Sequence, residues 1–135
     1  SLKNLKGESE MKKLENKDVI VKYDFENDIL YARKKGDKYS TSYDIGNFIF
    51  DLNAAMEVIG LEILSVSNLF HISKLAFQNM NEIELEIIIE ESILSFKAVV
   101  QANIRNALRT SSVDIEKPQP IELVDSRLMM KLKRH

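Results

Sequence analysis

The sequence predicts an α+β protein built mainly on antiparallel sheet, and three observations carry that reading. Short β-branched and aromatic runs recur between Val19 and Leu64, separated by turns bearing Asn, Asp and Gly. From Ser67 the apolar residues Leu69, Phe70, Ile72, Leu75, Ala76, Phe77 and Met80 repeat at helical intervals instead. Glu82 to Ile87 then alternates charged and aliphatic residues, the period of a half-buried strand. The expected organisation is a flexible arm over 1–17 and one domain over 18–135. Within that domain a β-meander occupies 19–65, a short helical connector 67–81, and a β extension with a C-terminal β-hairpin 82–133.

Residues 1–17 are dominated by Lys and Glu, with Leu2, Leu5 and Leu14 as the aliphatics, so ordered structure is expected from Val19. Val19 to Asp24 reads as a strand, and Glu26-Asn27-Asp28 supplies a turn, because Asn and Asp tolerate left-handed backbone. Ile29 to Arg33 returns as a second strand, and Tyr39 to Ile45 makes a third. Phe48 to Leu52 is apolar on both faces and reads as a central strand; Val58 to Leu64 closes the meander. Ser67 and Ser73 are candidate N-caps for one broken helix or two short ones, which would close over the apolar face of the meander. Residues 93–109 fit both a strand and a helical stripe; strand is preferred, because Glu82 to Ile89 must pair with a neighbour. A third strand would run from Leu108 to Lys117, stopped by Pro118-Gln119-Pro120, with Leu123 to Lys133 as a last strand or a tail.

Several elements of the first half resemble a small domain of unknown function, the one numbered twenty-two eighty-three. The residues that carry the resemblance are Tyr23-Asp24, then Asp28-Ile29-Leu30-Tyr31, then Ile49-Phe50-Asp51-Leu52, then Ile59-Gly60-Leu61-Glu62-Ile63-Leu64. The turn Asn53-Ala54-Ala55-Met56-Glu57 departs from the Asp- and Gly-rich turn of such domains. The resemblance implies a fold and no reaction. Because members sit beside toxin-like genes, it also implies an antitoxin-like or regulatory role as one alternative.

Composition narrows the chemistry. The 135 residues are 44% hydrophobic and 30% charged, with a net charge of -2, so no cationic excess is available for phosphates and nucleic acid is not an expected partner. With no cysteine there is no disulfide and no thiolate chemistry. No apolar run approaches the roughly 20 residues of a membrane helix, and a cytoplasmic protein is expected.

Four carboxylates lie within the matched motifs: Asp24, Asp28, Asp51 and Glu62. A small hydrolase using Asp24, Asp28 and Glu62 is one reading. The plainer one has the two aspartates capping a turn and Glu62 facing solvent. Asp51, Asn53 and Glu57 lack the spacing and central Gly of a calcium loop, so no metal is expected. Ser67 and His71 share a helix face but lack a nucleophile elbow, so no catalytic pair is expected. With four glycines and no phosphate-cradling loop, no cofactor is expected either.

The aliphatic residues Ile88, Ile93 and Val99 fall on the polar side of the 82–105 hairpin. They mark a candidate interface, either between two copies of the chain or with another protein, with cover by the Leu123 to Leu132 segment of the same chain as the competing account. The function expected from sequence is therefore a non-catalytic binding or regulatory module that self-associates as a dimer.

Overall fold

The computed structural model describes residues 11–118 and 123–134. Strands β1 (Met11–Glu15), β2 (Val19–Asp24), β3 (Ile29–Lys34), β4 (Thr41–Ile45), β5 (Phe48–Leu52) and β6 (Val58–Leu64) form one sheet, in the order β1-β2-β3-β6-β5-β4. Two five-residue helices follow, α1 (Val66–Phe70) and α2 (Lys74–Gln78). Strands β7 (Met80–Glu90), β8 (Ile93–Ile104), β9 (Ala107–Pro118) and β10 (Ser126–Lys133) form a second sheet in the order β10-β7-β8-β9. Every pairing is antiparallel.

The protein is thus mostly antiparallel sheet and richer in β than the α+β class expected. Periodicity located the helices, but left-handed His71 stops α1 after five residues and Ser73 caps a separate α2. A five-residue helix is about 7.5 Å long, whereas six strands span about 24 Å. The helices therefore cannot cover the first sheet. The second sheet does, and both inner faces share one core in which Phe48 meets Phe96 edge-on with centroids 5.2 Å apart. Phe70 and Phe77 plug the same core, with Phe77 stacked on Tyr23 at 5.1 Å.

Two further expectations change, and one holds. The first sheet is not a sequential meander, because β3 pairs with β6 and leaves β4 at the edge. Strand polarity explains the order: Thr41, Ser42 and Asp44 of β4 are exposed, whereas Val58 to Leu61 of β6 are all buried. The C-terminal extension is a four-stranded sheet, in which the expected third strand is β9 beside β8 and the last strand is β10 beside β7. Residues 93–104 are strand throughout; Gln119 and Pro120 lie outside the described residues. Finally, part of the stretch read as an arm is strand β1, which pairs with β2 and buries Leu14. One apolar side chain inserted in the core, with a salt bridge from Glu15 to Lys35 (2.6 Å), outweighs the polarity of its neighbours. The rest of that arm, residues 1–10, lies outside the described residues.

Candidate functional site

The motif carboxylates separate into two groups with different work. Asp24 and Asp28 hold the β2–β3 turn. Asp24 accepts from the backbone N–H of Asn27 (3.1 Å) and from its side-chain amide (2.8 Å), and these bonds hold its carboxyl below the usual range. Asp28 sits at φ 57 and accepts the phenol O–H of fully buried Tyr23 at 2.8 Å. Its other oxygen accepts the Ser67 hydroxyl at 2.6 Å, and the Ser67 N–H also points at the carboxylate, at 3.2 Å. Asp28 therefore ties the first hairpin to the start of α1. Burial, then the hydrogen bond to Asp28, pushes the Tyr23 phenol far above its ordinary value. The Ser67 hydroxyl donates to Asp28, and His71 is the exposed left-handed cap of α1.

Asp51 and Glu62 lie elsewhere, on the solvent face of the first sheet. Register sets two rows across its strands. Lys22, Tyr31, Glu62, Ile49 and Asp44 stand side by side on β2, β3, β6, β5 and β4, and Ile20, Arg33, Gly60, Asp51 and Ser42 form the neighbouring row. Gly60 explains how the second row works. A Cβ there would lie 2.8 Å from the Ala32 carbonyl oxygen and 3.3 Å from Asp51 Oδ2. Without it, the Arg33 guanidinium crosses β6 and donates to Asp51 Oδ2 at 2.7 Å. Ser42 Oγ donates to Asp51 Oδ1 at 3.2 Å, so this buried carboxylate is satisfied from both sides.

Glu62 is not so provided. It makes no hydrogen bond or ion pair among the described residues. Burial first, and then the charge of Asp51, raises its carboxyl above the ordinary value against the opposing pull of Arg33. Beside it, burial and the Glu62 charge raise the Tyr31 phenol. Together with Met11, Ile20, Lys22 and Arg33, these residues line an open depression of about 390 Å³. That volume suits a small ligand or the end of a side chain from a partner.

Tyr31, Asp51, Gly60 and Glu62 of this face belong to the sequence motif, and the model for a family described as "Protein of unknown function (DUF2283)" matches residues 20–67. The chain belongs to this family. It is 30% identical over 92 residues to a protein of Methanosarcina mazei named "Putative hypoxanthine phosphoribosyltransferase", covering 68% of this chain and 75% of that protein. It is 38% identical over 56 residues to an uncharacterized protein of Methanocaldococcus jannaschii, covering 42% of this chain and 48% of that protein. No solved structure matches.

Within the DUF2283 segment, the plainer reading, with Asp24 and Asp28 at a turn and Glu62 on the solvent face, is the arrangement seen, and the hydrolase grouping of Asp24, Asp28 and Glu62 is not. Asp24 and Asp28 are absent from the lining of the depression that holds Asp51 and Glu62. Sequence reasoning missed Tyr31, Arg33 and Lys22. The available signal was register: once β3 is placed beside β6, Tyr31 falls opposite Glu62 and Arg33 opposite Gly60. Between β5 and β6, Asn53 closes its own turn, accepting from the N–H groups of Ala55 and Glu57 at 3.0 Å each. Among the described residues no three His, Cys, Asp or Glu side chains are grouped to hold a metal.

The candidate interface residues lie on the outer face of the second sheet. Ile88 and Val99 are half-buried and Ile93 is 45% exposed. Met129 joins them at 56% exposure, and the face is crossed by ion pairs from Arg127 to Glu86 (2.6 Å) and Lys131 to Glu84 (3.0 Å).

Proposed function

We propose that this protein is a non-catalytic binding module that holds a cationic group, an amine or guanidinium of a ligand or partner, against Glu62 on the solvent face of the first sheet. One observation carries the reading: Glu62 is a partly desolvated carboxylate with no bonded partner among the described residues, in an open depression beside an aromatic wall. A bound cation would restore the charge balance that Arg33, already committed to Asp51, does not. Tyr31 adds a face on which an alkylammonium or guanidinium can rest. Hexylammonium is a suitable probe, titrated against the whole chain by amide chemical shift. The reading predicts perturbation centred on Tyr31, Arg33, Gly60 and Glu62, and its loss in Glu62→Gln. Equal perturbation in the variant would refute it.

Self-association is part of the same proposal. Ile88, Ile93, Val99 and Met129 supply an apolar strip on the other sheet, away from the depression, so a dimer formed there leaves Glu62 free. A hydrolase is the second reading, now resting on Glu62 with Asp51, because burial and then the Asp51 charge raise the Glu62 carboxyl. It is weaker, since Asp51 already neutralises Arg33 and the depression is open to water. A nucleic-acid-binding regulator has less support still, because Arg127 and Lys131 of the basic strand are paired with glutamates. Phosphoribosyl transfer, the activity in the Methanosarcina name, calls for a diphosphate cradle. The four glycines of this chain stand singly, at 7, 36, 46 and 60.

A further inference from the structure

The row that carries Glu62 also carries a second charge of opposite sign. Lys22 on β2 and Glu62 on β6 are each one strand away from Tyr31 on β3, directly opposite it in register. Adjacent strands are about 4.8 Å apart, so the two backbone positions stand roughly 10 Å from one another with the Tyr31 ring between them. Lys22, like Glu62, makes no hydrogen bond or ion pair among the described residues. Both side chains line the same depression of about 390 Å³.

These two groups of opposite charge have no partner among the described residues, and the Tyr31 ring stands between them, where Gly60 leaves the way open between Arg33 and Asp51. A molecule bearing both charges would satisfy each of them at once. We infer that the ligand is amphoteric: a small zwitterion laid across Tyr31, its ammonium end at Glu62 and its carboxylate or other anionic end at Lys22. This rests on the cation-binding reading above and adds the second contact. Arg33 does not substitute for Lys22, because its guanidinium is held by Asp51 at 2.7 Å.

The test compares two probes on the whole chain: 6-aminohexanoate, which carries both charges, and hexylammonium, which carries only the cation. An exposed charge pair is worth roughly 0.2–1 kcal/mol. 6-Aminohexanoate should therefore bind about 1.4- to fivefold more tightly, with amide shifts at both Lys22 and Glu62. Lys22→Met should abolish that advantage without weakening hexylammonium, because the charge it removes repels a cation. Equal or weaker binding of 6-aminohexanoate, or an advantage that survives Lys22→Met, overturns the inference while the cation-binding reading stands. Failure of both probes to bind overturns both.

Discussion

Asp28 shows how one carboxylate can be mistaken for chemistry when its work is structural. Its two oxygens accept from a fully buried phenol and from the first turn of α1. Asparagine at this position keeps the left-handed backbone but turns one acceptor into a donor, leaving the buried Tyr23 O–H without a partner. Asp28→Asn should cost about 1–2 kcal/mol in urea denaturation. In the background of Tyr23→Phe the same change should cost less, because the orphaned hydroxyl is gone. Additive losses would show that the bond carries little. Glu62 is the opposite case. Its carboxyl is raised, so the fold favours the protonated form. That preference is fully present below the ordinary carboxylate value and is lost as pH rises through the raised one. Glu62→Gln should therefore raise Tm at pH 7 by about 1–2 °C, a small effect for a solvent-screened group, and change nothing near pH 3.

At the scale of elements, β6 decides how the site is built. Its glycine lets a side chain of β3 reach a side chain of β5, two strands away. In Gly60→Ala the new methyl would press on the Ala32 carbonyl, part of a paired strand that cannot swing aside. We expect a loss of about 1–3 kcal/mol, seen as a lower urea midpoint at unchanged m-value. The strand positions themselves were legible, since β2, β3, β5 and β6 follow their β-branched and aromatic runs closely. Their order was not, because hairpin spacing favours sequential pairing and only the polarity of Thr41, Ser42 and Asp44 against the buried run of β6 argued otherwise. The missed strand β1 shows a related limit. Lys12, Lys13 and Glu15 give it a polar composition, yet Leu14 alone fixes it to the core. The site was hidden for the same reason: Tyr31, Arg33 and Lys22 acquire roles only once β3 is known to lie between β2 and β6.

In the whole molecule, the two sheets bury their inner faces against each other and leave two outer faces with different characters. The first carries the unbalanced Glu62; the second carries paired charges around a strip of aliphatics. Self-association through the second predicts a dimer by sedimentation at micromolar concentration. Val99→Glu should dissociate it, because the new carboxylate would stand opposite Glu84 in register. A monomeric wild type, or a variant that dimerises normally, would contradict that assignment.

The central claim is that Glu62 is a carboxylate awaiting a cation, and its own titration tests this most directly. The side-chain carboxyl of Glu62 can be followed by carbon chemical shift against pH, with and without saturating hexylammonium. The account predicts a midpoint above the ordinary carboxylate value in the free protein, falling when the cation is bound, because a neighbouring positive charge favours the ionised form. A midpoint at the ordinary value that hexylammonium does not move would contradict it.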